Sequence, residues 1–155
     1  MHIEPQVGAP VFKMTIPLGD NAWHGFGSEM VWVEGLPDRT LRLQNTPFFA
    51  KGLSYLDIVQ VEVKDDELLF SSVYQRSGHS TYRLILEEST TDEQFAKRWN
   101  SLKALGCTYE SFDDLRLYAV DVPTIEAVKA AYPLLQAGVL DGVWDFEEGH
   151  YAGKL

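Results

Sequence analysis

A chain of 155 residues, 45% hydrophobic and 23% charged, can bury a real core as one domain or as two very small ones, and is too apolar to stay disordered. Thirteen basic residues against 23 acidic ones give a formal charge of −10, a field that repels phosphate backbones and anionic lipid, so neither nucleic acid nor a membrane is an expected partner. No apolar run approaches the roughly 20 residues that span a bilayer, MHIEPQVGAP carries no leader pattern, and the single Cys107 excludes an internal disulfide and a cysteine-rich zinc site, all of which suits the cytoplasm.

Residues 1–10, with two prolines and no periodicity, read as a disordered N-terminus. From Val11 to Pro17 the run VFKMTIP alternates Phe12, Met14 and Ile16 with Lys13 and Thr15, the period of a half-buried strand. Gly19-Asp20-Asn21 breaks it. The runs Glu29 to Glu34 and Thr40 to Gln44 then form a hairpin around Leu36-Pro37-Asp38. After a loop carrying Phe48 and Phe49, Asp57 to Val63 and Leu68 to Gln75 flank a turn at Asp65-Asp66. Five or so short strands with regular turns predict a compact barrel or a curled sheet.

Beyond Gly78 the period changes. Tyr82 to Leu86 reads as a strand, and Thr90-Thr91-Asp92-Glu93-Gln94 offers two overlapping capping boxes that start a helix. Phe95, Trp99, Leu102 and Leu105 place one apolar stripe on that helix, which ends at Gly106. Thr108 to Phe112 and Leu115 to Val122 are strands around Asp113-Asp114. Thr124 caps a second helix with Ile125, Val128, Tyr132 and Leu135 on one face, and Pro133 should kink or break it. Gly138 to Gly142 turns the chain into a last strand, Val143 to Phe146. The order β-α-β-β-α-β predicts a ferredoxin-like unit. The expected fold class is therefore α+β: a β-barrel-like domain over 11–77, then a ferredoxin-like domain over 78–155.

The segment Tyr74 to Arg83, YQRSGHSTYR, falls at the seam. His79 beside Ser77 and Ser80 has the residue types of a general base with a hydroxyl. Neighbours on an extended chain point to opposite faces, however, so Ser77 and Thr81, and not Ser80, share the side of His79. A structural role, with Ser77-Gly78 as the joint and the hydroxyls capping exposed backbone groups, is the stronger reading. Cys107, after Gly106, reads as a small buried residue rather than a nucleophile.

Metal sites fail on spacing: His2, His24, His79 and His150 lie far apart in sequence, and there is no HExxH or calcium loop. No glycine-rich phosphate motif is present, and no cofactor is expected. Glu110, Asp113, Asp114 and Asp145 occupy turns and strand ends, the ordinary home of carboxylates. Two aromatic loops stand out, Trp23-His24-Gly25-Phe26 and Phe48-Phe49. Each is either a binding anchor or a plug over a barrel end.

The segments FF-KGLSYLDIVQVE, SGHSTYR, LKALGCTYE and LYAVDVP resemble an uncharacterised bacterial family, domain-of-unknown-function family 4265, from about Val11 onward. Leu56 stands before Asp57 where the resemblance leads one to expect glycine. It implies no reaction. Small acidic proteins of this kind are similar to the immunity proteins that bacteria keep beside their toxins. The leading expectation is thus a non-enzymatic protein that covers a cognate toxin's active site through Trp23, His24, Phe26, Asp113, Asp114, Glu147 and Glu148. The alternative is a small-molecule or regulatory module with a ligand site between the two halves, near His79 and Arg83. A hydrolase built on His79 with Ser77 or Ser80 is the third.

Overall fold

The structure, a computed structural model, describes residues 10–19 and 23–153. Residues 1–9 of the expected disordered segment, and the break at Asp20-Asn21, lie outside the described residues. Five strands close a barrel: β1 (Val11–Pro17), β2 (Ser28–Gly35), β3 (Leu41–Leu43), β4 (Ile58–Lys64) and β5 (Glu67–Gln75). Successive strands pair antiparallel, and β1 closes the ring against β5 in parallel through Met14–Leu68 and Thr15–Leu69. Period-2 alternation turns Met14, Ile16, Val31, Val33, Leu41, Leu43 and Val59 into one buried interior.

The chain crosses at Arg76–His79 into a second unit: β6 (Ser80–Leu86), α1 (Asp92–Lys103), β7 (Thr108–Phe112), β8 (Leu117–Val122), α2 (Ile125–Leu140) and β9 (Trp144–His150). Its four strands lie in the order β7-β8-β6-β9, all neighbours antiparallel. A second core fills the space between this sheet and the helices, from Tyr82, Leu84, Val120, Val122 and Trp144 on the strands to Phe95, Trp99, Leu102, Val128 and Leu135 on the helices. Among the described residues the chain is mostly β, with nine strands and two α-helices. This corrects the expected α+β class with its ferredoxin-like second half. What the molecule presents is a closed five-stranded barrel beside a four-stranded sheet. Counting helices and strands in order shows what one sheet face packs on; it does not show that the other face is covered by the barrel's own loop.

Helix α1 starts at Thr91, whose side chain accepts from Gln94 N while Gln94 returns the bond, a complete capping box. Helix α2 departs from expectation. It runs unbroken through Pro133, which is exposed. Its buried face is Val128, Ala131, Leu135 and Gly138, while Ile125 and Tyr132 are exposed. Gly138 belongs to the helix rather than a turn, and glycine is required there because a Cβ would overlap the Trp144 indole. That indole N–H donates to Leu135 O at 3.0 Å. No helix among the described residues is long and apolar enough to cross a membrane.

Candidate functional site

Alternation along β6 sends Tyr82 and Leu84 to the helices and Thr81 and Arg83 to the barrel. Loop 45–57 lies on that second face, and its backbone groups are met one by one. Arg83, 1% exposed, donates to the carbonyls of Phe48 and Ala50. From the other side the Glu29 carboxylate accepts from Phe48 N, Phe49 N and Ala50 N at 2.8 to 2.9 Å. Glu110 accepts from Asn45 Nδ2 and Thr46 N, and Thr81 Oγ1 bonds Leu53 O and Ser54 Oγ. Burial draws the Arg83 pKa down, and the charges of Glu147 and Glu29 push it back; Glu147 lies 3.7 Å away. The charge is buried and ion-paired, the condition under which a guanidinium tolerates an interior, while Nη1 makes no hydrogen bond among the described residues.

This clamp fixes an aromatic cluster at the barrel mouth. The Phe49 ring sits 4.3 Å from His24, 5.0 Å from Phe26 and 6.3 Å from Trp23. Phe112 joins at 5.9 Å from Phe26 and 5.8 Å from Phe48. His24 Nδ1 accepts from Phe26 N at 2.9 Å, which sets the loop's curl and leaves the proton on Nε2. The two alternatives for the aromatic loops divide between them. Phe49 packs on the barrel core as a plug, whereas Trp23 is 58% and Phe26 39% exposed. Trp23, His24 and Phe49 border a cleft of about 410 Å³ whose polar lining includes Lys51 and Glu147.

The second constellation surrounds His79. Its Nδ1 lies 2.9 Å from both oxygens of buried Asp121. Burial raises the Asp121 carboxyl above the usual range, and the His79 hydrogen bond opposes that. Ser77 Oγ donates to Tyr55 O and accepts from His79 N, Ser80 Oγ accepts from Ala152 N, and Thr81 is engaged as above. Asp57, fully buried, accepts from Ser54 N, Ser77 N and Arg76 Nη1. The hydroxyls around His79 are therefore committed to holding the crossing, where Gly78 takes φ +91°. Cys107 is buried with its thiol pushed up to about 12, chiefly by burial. No group of three or more ligand-type side chains is arranged to hold a metal among the described residues.

Of the sequence-derived contact residues, Trp23, His24 and Glu147 line the cleft, Phe26 stacks beside it on Phe49, and Asp113 and Asp114 are exposed next in chain to Phe112 of the aromatic cluster. Glu148 lies on the opposite sheet face, where its charge raises Tyr82. Arg83 is spent on the clamp, apart from the cleft that His79 lines.

The model of the family described as a domain of unknown function (DUF4265) matches residues 29–146. The chain belongs to this family. A solved structure described as a hypothetical protein from Neisseria gonorrhoeae is similar, with a TM-score of 0.75 at 16% identity over 90% of this chain and 95% of that one. The likeness is one of fold. No curated protein matches the sequence. Within this DUF4265 member, the departure at Leu56 has a structural meaning, because its φ is +67°, the left-handed backbone that glycine adopts without strain.

Sequence reasoning missed Glu29, Asp57, Phe112 and Asp121. Asp121 had a legible signal, a carboxylate inside the apolar strand LYAVDVP, since such a residue is buried only with a partner. Glu29 and Phe112 had none, because each acts on a loop distant in sequence.

Proposed function

We propose that this chain is a binding protein without chemistry of its own, which seats a protein partner on the aromatic cleft at the barrel mouth. The observation that carries this reading is the exposure of Trp23 and Phe26 on a platform, Phe49, that the Arg83–Glu29 clamp holds rigid. Large aromatic side chains on a preorganised support are what interface hot spots are made of. Glu147 in the cleft, exposed Asp113 and Asp114 next in chain to Phe112 of the aromatic cluster, and the overall charge of −10 select a partner bearing basic side chains and speed its approach. The specific form we propose is an immunity protein that covers the active site of a cognate antibacterial toxin, a task that needs affinity and steering only.

The test is co-expression with the polypeptides encoded beside it in its host, scored by growth protection and by titration of any complex. A tight complex that weakens with added salt is expected, with Trp23→Ala and Phe26→Ala each costing about tenfold or more in affinity. Absence of both complex and protection rejects the toxin-inhibitor reading. A complex indifferent to both substitutions rejects the cleft as its seat.

A further inference from the structure

Strand β9 is an outer strand of its sheet: β6 pairs with one edge and, among the described residues, no strand pairs with the other. The hydrogen-bond alternation says which groups face the open edge. Val143 O accepts from Glu87 N on the β6 side, so in the antiparallel ladder Asp145 and Glu147 turn their backbone groups inward, and Trp144 and Phe146 turn theirs outward. The Phe146 N–H agrees with this, since it donates to the carboxylate of its own neighbour Asp145, at 3.0 Å. Another described backbone segment meets this edge only at Gly149, whose carbonyl accepts from Gly52 N.

Beside this edge, α2 and β9 border a groove of about 460 Å³ lined by Tyr132, Val139, Leu140 and Phe146, with Asp145 at its rim. Leu140, at 87%, is the most exposed large apolar side chain described, and Tyr132 is 45% exposed. Apolar surface gathered in this way marks a contact site. On the other face of the same strand, alternation places Asp145 and Glu147, the first exposed and the second 3.7 Å from Arg83. The strand thus combines outward backbone groups, an apolar groove on one side and carboxylates on the other.

We infer that this edge takes an extended segment of a partner protein in which basic residues alternate with apolar ones. Added as a fifth strand, the segment bonds the outward groups of Trp144 and Phe146 and replaces Asp145 as the partner of the Phe146 N–H. Period-2 alternation then sends its apolar side chains onto Tyr132, Leu140 and Phe146, and its basic ones toward Asp145 and Glu147. A second copy of this chain is disfavoured by charge, because pairing β9 with itself sets Asp145, Glu147 and Glu148 of one copy against the same three of the other. Acidic side chains on an open edge keep like copies apart, and a basic strand turns the same carboxylates into an attraction. This surface is additional to the aromatic cleft and does not depend on what the cleft binds.

The experiment is titration of the full chain, by fluorescence anisotropy, with a labelled and capped heptapeptide alternating lysine with valine and leucine. The controls are its glutamate counterpart and a form N-methylated along the backbone, which keeps the charge and lacks the donors. The lysine peptide should bind one to one at submillimolar concentration, about tenfold or more tighter than either control, and should slow amide exchange at Phe146. Leu140→Ala, safe for folding at so exposed a position, should weaken it about fivefold with the thermal midpoint retained. Asp145→Lys should weaken it about tenfold and admit the glutamate peptide. Trp23→Ala should change nothing. The inference is overturned if the lysine peptide does not bind at millimolar concentration, if either control binds as tightly, or if exchange at Phe146 is unaffected. It is overturned equally if Leu140→Ala and Asp145→Lys both bind as the parent does, or if Trp23→Ala abolishes binding. A dimer of the chain that the lysine peptide dissociates would make a second copy the occupant and overturn it as well.

Discussion

The two faces of the four-stranded sheet are held by different physics. Against the helices, Tyr82, Leu84, Val120, Val122 and Trp144 bury apolar surface, an adhesion that tolerates small shifts. Against the barrel, Thr81, Arg83, Asp121 and Glu147 present hydrogen-bonding groups and charges that are satisfied in one register only. The first face supplies stability. The second supplies position, and the aromatic cleft inherits its geometry from it.

Removing the central group of the polar face should have the largest effect. Arg83→Met keeps the volume but strands the carbonyls of Phe48 and Ala50 and the charges of Glu29 and Glu147. A loss of about 3–5 kcal/mol in urea unfolding is expected. A loss below about 1 kcal/mol would mean that this face does not position the loop. On the apolar face, Gly138→Ala should cost about 2–3 kcal/mol although alanine is the better helix former, because the added methyl meets the Trp144 indole. A stabilised variant would contradict the packing described.

The faces should also separate in pH. Tyr82 is raised from 10.0 to about 12 and Cys107 from 9.0 to about 12, first by burial. Groups with folded pKa values above their unfolded ones favour the fold while protonated. The apolar face should therefore keep its full stability below pH 9 and lose it as pH climbs toward 12, with Tyr82→Phe removing about 2 kcal/mol of that loss. Asp121 is raised too, so by the same sign its contribution on the polar face is complete below 3.8 and declines as pH rises above it. Asp121→Asn should flatten that acid-side slope in a series of thermal midpoints. The smallest effect concerns the loop between the faces. Leu56→Ala should cost about 1 kcal/mol, whereas the larger truncation Leu56→Gly should cost less than about 0.5 kcal/mol, because relief of the left-handed backbone offsets the lost contact.

Much of this architecture was legible in the chain. The alternation in VFKMTIP gave β1 residue for residue, and the two overlapping capping boxes from Thr90 to Gln94 bracketed the start of α1, of which the structure uses Thr91 with Gln94. The limits of α2 were not, because Pro133 and Gly138 read as breakers until one is seen to face water and the other to receive an indole. At the candidate sites, Trp23, His24 and Phe26 announced themselves by type. Glu29 acquired meaning only from a loop about 20 residues away, and Asp121, though marked as a carboxylate inside an apolar strand, received its partner only from His79, 42 residues away.

By itself the sequence determined what local physics controls: strand and helix periods, caps, the glycine joint at Gly78, and the acidic charge that disfavours nucleic acid. Only the tertiary structure decided that the barrel closes, that the sheet's second face rests on loop 45–57, and that two clefts of different character flank this interface. Those outcomes depend on which side chains meet across long separations, and hydrogen-bond and charge complementarity between distant segments leaves no period in a sequence to read.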